Sequence, residues 1–270
     1  MRRRSFSLFL ASAVATLTAV IALPPAAGAS EVSPPGANDW SCKPTKDRPE
    51  PVILVHGTFE NMVKNWTVLS PQLADAGYCV FALDYGDNAT APVADSAAEL
   101  QPFVDRVLKA TGARKADIVG HSQGGMMPRY YVKFLGGDKR VDDLIGIVPS
   151  NHGTTNPLAF PTGATVCPAC ADQMADSAFM AELNSGGDTV PGPHYTVITT
   201  KYDEVVTPYT SAFLDGPRNR VTNATLQDTC PLNTIEHDQA PNHPEVAQWV
   251  LEALERRGPA DPGFQPDCVV

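Results

Sequence analysis

Apolar residues gather in short runs along this chain, at Val52–Val55, Cys79–Leu83, Ala116–Val119, Leu144–Val148 and Tyr195–Thr199, with a weaker run over Asn219–Leu226. Val, Ile and Leu dominate without alternation, the pattern of strands covered on both faces in a parallel sheet. The stretches between them follow a helical period instead. Over Ser96–Thr111, Leu100, Phe103, Val104, Val107 and Leu108 fall at i, i+3, i+4, i+7 and i+8, one apolar face closed by Gly112. Helices are also predicted over Asn65–Ala76, through Tyr130, Tyr131, Phe134 and Leu135 up to Gly136-Gly137, and over Pro244–Arg257 with its proline in the first turn. This alternation predicts an α/β fold, a doubly wound, mostly parallel sheet with right-handed crossovers and helices on both faces, in a single domain over 30–270. Pro128 would kink its helix at a cost of about 3 kcal/mol unless it falls in the first turn. From Asn151 to Pro193 the period dissolves into Gly, Pro, Thr and Ala. An aperiodic segment of that length is expected to wall a site or act as a short lid.

The N-terminus changes where the domain begins. Met1-Arg2-Arg3-Arg4, the apolar run Phe6–Leu23 and the small residues Ala27-Gly28-Ala29 are the three parts of a secretory leader, so residues 1–29 are read as a signal peptide and the chain as secreted. Ser and Thr interrupt the run, Pro24-Pro25 end it, and no later segment reaches the roughly 18 apolar residues of a span, so no transmembrane anchor is expected. Loss of the leader, with three Arg and no acid, takes the net charge from −10 to −13. Such a charge repels nucleic acid.

Six cysteines, Cys42, Cys79, Cys167, Cys170, Cys230 and Cys268, lie beyond the leader. In a secreted chain an even count implies disulfides, and among the fifteen possible pairings the spacing suggests 42 with 79, 167 with 170 and 230 with 268. Loop entropy assigns about 4 kcal/mol to each long closure and about 2 to the short one, as upper values. Cys167-Pro-Ala-Cys170 has no second Cys/His pair at finger spacing, so no metal or other cofactor is expected. Asn65-Trp66-Thr67, Asn88-Ala89-Thr90 and Asn223-Ala224-Thr225 match the glycosylation pattern.

The chemistry centres on Gly120-His121-Ser122-Gln123-Gly124, a serine bracketed by glycines where a strand turns sharply into a helix. Side chains at Gly120 and Gly124 would strike neighbouring backbone, and the turn aims the Gln123 N–H at the place where negative charge develops in acyl transfer. A serine hydroxyl needs a base, and the base needs an acid to hold its tautomer. In chains of this pattern the acid and then the base follow the nucleophile, each after a strand. Asp203 stands after the run ending at Thr199, with Glu204 as runner-up, while Asp215 and Asp228 read as turn formers. His237 and His243 follow the last strand. His243 precedes Pro244 at a helix N-terminus, where the positive dipole disfavours a base, so His237 is preferred. His56, His121, His152 and His194 read as structural. His56-Gly57-Thr58, after the first long run, supplies the second oxyanion donor through the Thr58 N–H. Phe59 and Met62 either line an acyl pocket or pack in the core.

Together Pro51–Gly57, Phe103–Gly112, Asp117–Gly125 with Met126-Met127-Pro128-Arg129-Tyr130-Tyr131, and Asp203 with Val205-Val206 resemble the class 2 bacterial lipases, over about Cys42 to Glu255. The resemblance implies the α/β-hydrolase fold, Ser122 as nucleophile, Asp203 as acid, His237 as base, and Thr58 and Gln123 as oxyanion donors. It also implies a secreted serine carboxylic-ester hydrolase, a triacylglycerol lipase working as a monomer on an ester or lipid substrate in transient contact with a lipid–water interface. The small Bacillus-type lipases are related but lack the cysteines and the long loop before Tyr195. A short-chain or polyester, cutinase-like esterase is the alternative. A non-catalytic hydrolase-fold binding module would be expected to lack a triad member.

Overall fold

Strand β1, Val52–Val55, shows why its apolar run is unbroken, for all four of its residues are fully buried. Ile53 and Val55 belong to one hydrophobic core, Val52 and Leu54 to the other, so each face of the sheet needs its own apolar row. A computed structural model describes residues 32–157, 159 and 166–269. The expected leader lies outside the described residues, as do 158 and 160–165 of the predicted lid-like segment.

Five further strands complete one sheet: β2 (Val80–Leu83), β3 (Ala116–His121), β4 (Val141–Ile147), β5 (His194–Thr199) and β6 (Val221–Thr225). Their order is β2-β1-β3-β4-β5-β6, and every neighbouring pair is parallel. The chain leaves β1 for β2 on one side and then crosses back to β3 on the other. Loops departing the carboxyl ends of β1 and β3 therefore part from each other and leave a crevice, the usual seat of a site in such sheets.

Helices cover both faces. The short α1 (Met62–Asn65) and α2 (Leu69–Asp75) share one core with the C-terminal α9 (Pro244–Glu255), through Met62, Trp66, Leu73, Val246, Trp249 and Val250. Between β2 and β3 come a single left-handed turn, α3 (Gly86–Ala89), and the long α4 (Val93–Thr111), which packs with α5 (Gln123–Phe134) on the opposite face. The predicted face of α4 is in place, with Leu100, Val104, Val107 and Leu108 buried and Phe103 partly so. The helix predicted over 65–76 is two pieces, because the chain turns at Trp66 to bury that indole.

Pro128 is the sixth residue of α5, beyond the first turn, yet the helix runs on through it. Met126, Met127 and Tyr131, fully or almost fully buried on its core face, hold it against the sheet despite the lost hydrogen bond. The aperiodic segment contains two short helices, α6 (Pro168–Asp172) and α7 (Ala178–Asn184), the latter capped by Ser177, whose hydroxyl accepts from the Met180 N–H. The buried Arg129 of α5 fastens this segment, donating to the Asn151 carbonyl at 2.9 Å, Asn184 Oδ1 at 2.7 Å and the Asp188 carbonyl at 3.0 Å. The last short helix, α8 (Leu226–Thr229), follows β6. The three disulfides join the cysteines that the spacing paired, 42–79, 167–170 and 230–268. Among the described residues no helix is long and apolar enough to cross a membrane.

Candidate active site

Strand β3 delivers Ser122 into the crevice on a tight turn. A Cβ on Gly120 would overlap the Gly124 carbonyl, and one on Gly124 would overlap the carbonyls of Val55 and His56, so both positions demand glycine. Ser122 itself sits at φ 55, ψ −121. That backbone region costs an L-residue about 1–3 kcal/mol and persists only when its surroundings hold it. Here the hold is backbone on both sides: Ser122 N–H donates to the Ile147 carbonyl at 2.9 Å, and Gly125 N–H donates to the Ser122 carbonyl at 3.0 Å.

The three residues anticipated for the relay meet at this turn. His237 Nε2 lies 2.9 Å from Ser122 Oγ, and its Nδ1 lies 2.9 Å from both carboxylate oxygens of Asp203. A carboxylate only accepts, so His237 carries its proton on Nδ1 and turns the Nε2 lone pair to the hydroxyl. Asp203 Oδ1 also accepts from the N–H groups of Val205 and Val206, at 2.9 and 2.7 Å, which fixes the carboxylate in one orientation. The runners-up lie elsewhere. His243 caps α9, accepting from the Glu245 N–H at 3.3 Å, and Asp228 pairs with Lys201 at 2.7 Å. Glu204 contributes its main-chain carbonyl to Asn156, and the Asp215 N–H donates to Asp188.

Two buried side chains tie His237 to the opposite loop. His121 sits between the His237 carbonyl and Asn65 Oδ1, each 3.1 Å from a ring nitrogen, and Asn65 Oδ1 also accepts from the Gly57 N–H at 2.9 Å. Burial, with His237 alongside, holds the His121 ring well below its usual pKa, and a neutral ring donates to only one of these two acceptors. Asn65 was a glycosylation candidate by motif alone. Its burial and its bond to Gly57 give it an internal task instead. His56 is likewise buried, stacked on Tyr85 with ring centroids 4.5 Å apart, and desolvation lowers its pKa. The Tyr85 hydroxyl donates to the His56 carbonyl at 2.7 Å.

Thr58 and Gln123, the expected oxyanion donors, face each other across the crevice, with Thr58 Oγ1 2.7 Å from Gln123 Oε1. The next residue, Phe59, is at φ 63 and donates its N–H to the Asn88 carbonyl of α3 at 2.8 Å. In α3 four consecutive residues are left-handed, with φ of 56, 51, 56 and 58 from Gly86 to Ala89. This is costly for Asp87, Asn88 and Ala89. A cavity of about 310 Å³ opens at Ser122, lined among others by Thr58, Phe59, Val205 and His237. Phe59 is half exposed at its rim, whereas Met62 is buried in the core and lines no pocket here.

Among the described residues, carboxylates that could converge on a cation are Asp117, Asp142 and Asp143, at the far ends of β3 and β4. Asp117 stands five positions before Ser122 along β3, roughly 17 Å, so these carboxylates take no part in the site. The other convergent group, Cys230, Cys268 and Glu245, contains a disulfide.

The local motifs gave no sign of Asn65 and His121 as a brace, nor of Gln173 and Ser150, which stand behind the Thr58–Gln123 pair. Their only signal would have been contact across the fold.

Known proteins share this arrangement of chain. A triacylglycerol lipase of Burkholderia plantarii is 35% identical over 142 residues, 48% of this chain and 37% of that protein. The chain thus spans about a third of the length of that curated relative. Among solved structures, Aspergillus fumigatus lipase B superposes with a TM-score of 0.73 at 24% identity, covering 85% of this chain and 57% of that one. An alpha/beta hydrolase from the sediment metagenome of the Mar Chica lagoon, Morocco, gives 0.51 at 18% identity, covering 77% and 90%. These likenesses establish the α/β-hydrolase fold. A model of the family described as Lipase (class 2) matches residues 49–250. With well over half of its length inside that match, the chain belongs to the class 2 lipase family.

Proposed function

We propose that the chain is a secreted serine carboxylic-ester hydrolase, a triacylglycerol lipase working through an acyl-enzyme. The observation that carries this is the unbroken contact from Ser122 Oγ through His237 to Asp203, each step 2.9 Å, on a strained turn that presents the hydroxyl to a cavity. Ser122 Oγ attacks the ester carbonyl while His237 Nε2 takes its proton, and Asp203 steadies the imidazolium. The Thr58 and Gln123 N–H groups receive the oxyanion. His237 then protonates the leaving alcohol, and a water activated by the same base releases the acid. Family membership and the name of the Burkholderia plantarii relative support triacylglycerol as substrate. The leader pattern and three disulfides support an oxidising, extracellular setting.

The test is a chain-length profile on p-nitrophenyl esters and triglyceride emulsions, with Ser122→Ala and His237→Ala as controls. Each variant is expected to lower kcat by several orders of magnitude. Activity confined to soluble short esters would overturn the lipase assignment, and an active Ser122→Ala would overturn the serine mechanism.

A further inference from the structure

Gln173, one residue beyond α6, is fully buried against the two donor residues. Its Nε2 lies 2.9 Å from Thr58 Oγ1, 3.0 Å from Gln123 Oε1 and 3.2 Å from the Ala169 carbonyl, while its Oε1 accepts from Ser150 Oγ at 2.8 Å. A backbone carbonyl can only accept, so the Gln173 atom facing Ala169 is the amide nitrogen. Gln123 must then turn its oxygen, not its nitrogen, toward Gln173. The Gln173 amide has two hydrogens for the three acceptors around its Nε2 and shares them among Thr58, Gln123 and the Ala169 carbonyl, while the Thr58 hydroxyl donates to Gln123.

We propose that Gln173 is a positioning residue for the oxyanion hole, tying Thr58 and Gln123 together so that their backbone N–H groups converge on one point. This rests on the serine mechanism proposed above. An oxyanion hole accelerates only when its donors are already placed, and a misplacement of about 1 Å costs on the order of 100-fold. Both donors adjoin strained backbone: Phe59 at φ 63 follows Thr58, and Ser122 at φ 55 precedes Gln123. Each loop is therefore held against local backbone strain, and the tie acts there beside the backbone hydrogen bonds of Ser122 and Phe59.

Gln123 depends on that tie for its side chain. Its Nε2 is buried without a partner among the described residues, so the two bonds on Oε1 hold it. Gln173 is itself well anchored. The Cys167–Cys170 disulfide closes α6, Ala169 N–H donates to the Thr90 carbonyl at 3.1 Å beside the left-handed turn, and the Gln173 carbonyl accepts from the Thr154 N–H at 2.9 Å.

Gln173→Met keeps the volume and removes every donor. It is expected to lower kcat for a p-nitrophenyl ester, and the rate of Ser122 inactivation by a fluorophosphonate, by the same factor of about 10–100, with KM within about twofold and a lower Tm because the buried Ser150 hydroxyl loses its acceptor. Gln173→Glu keeps the shape and regains one donor proton in acid. Its kcat relative to wild type is expected to rise as pH falls, a readout that packing alone would not move and one that stands in should Gln173→Met fail to fold. In a double-mutant cycle with Thr58→Val the losses are expected to be non-additive, as for groups in one network. Wild-type inactivation rates in the variants, multiplying losses in the cycle, or a pH-independent ratio for Gln173→Glu would overturn the proposal. An absence of Ser122 adduct in the wild type would overturn the serine mechanism and this proposal with it, which separates the two failures.

Discussion

Replacing Ser122 with glycine is expected to leave a more stable protein than replacing it with alanine, the reverse of the usual order. Both substitutions delete the hydroxyl and its 2.9 Å contact with His237 Nε2, so that loss of about 1 kcal/mol cancels between them. The backbone does not cancel. At φ 55, ψ −121 an alanine Cβ remains in a region that costs about 1–3 kcal/mol, whereas glycine occupies it freely. Glycine gives back about 0.4–1 kcal/mol through the greater freedom of the unfolded chain. The difference favours Ser122→Gly by about 0–2.6 kcal/mol with a centre near 1, roughly 2–4 °C in Tm at that centre for a domain of this size. Equilibrium urea unfolding with disulfides intact measures it, with equal m-values required for the comparison. An alanine variant as stable as the glycine variant would mean that the nucleophile turn stores no strain. The account of why backbone hydrogen bonds to Ile147 and Gly125 are needed there would then fail.

Two other perturbations probe charges placed by the fold. Burial, reinforced by Asp143, Glu50 and Asp142, raises the Asp117 carboxyl well above its ordinary range, and burial raises Asp143 to about 6. A raised carboxyl pKa means the folded state binds that proton more tightly than the unfolded chain, so stability falls as pH climbs above about 4. Asp117→Asn removes the cost and keeps an oxygen for the Asp143 N–H, so it is expected to stabilise the fold at pH 8 and to change stability little at pH 4. Thermal melts across that range check it, and a gain independent of pH would point to packing instead. His243→Ala is expected to cost about 1 kcal/mol through loss of the α9 cap and to leave kcat intact. A fall in kcat matching that of His237→Ala would make His243 the base.

Much of the architecture was legible in the residues themselves, because its causes are local. Runs such as Val52–Val55 are apolar throughout since a doubly covered strand needs a core on each side, and Gly120 and Gly124 mark a turn where any Cβ meets backbone. Asp203 and His237 could be picked out as candidates because each follows a strand in the order expected after Ser122. Boundaries suffered where tertiary burial outweighed the local pattern, as at Trp66, which breaks the helix expected over 65–76, and at Pro128, which α5 absorbs. The braces of the site left no local trace. Asn65 meets His121 from 56 positions away, His121 meets the His237 carbonyl from 116, and Gln173 meets Thr58 from 115. A hydrogen bond between distant side chains imposes no period and no special backbone angle, and an Asn or Gln reads alike whether it faces water or a donor. The sequence alone therefore marked out the strands along the chain, the glycine-flanked turn at Ser122 and the residues eligible for the relay. Only the packed fold decided which polar side chains were stripped of water and obliged to find one another.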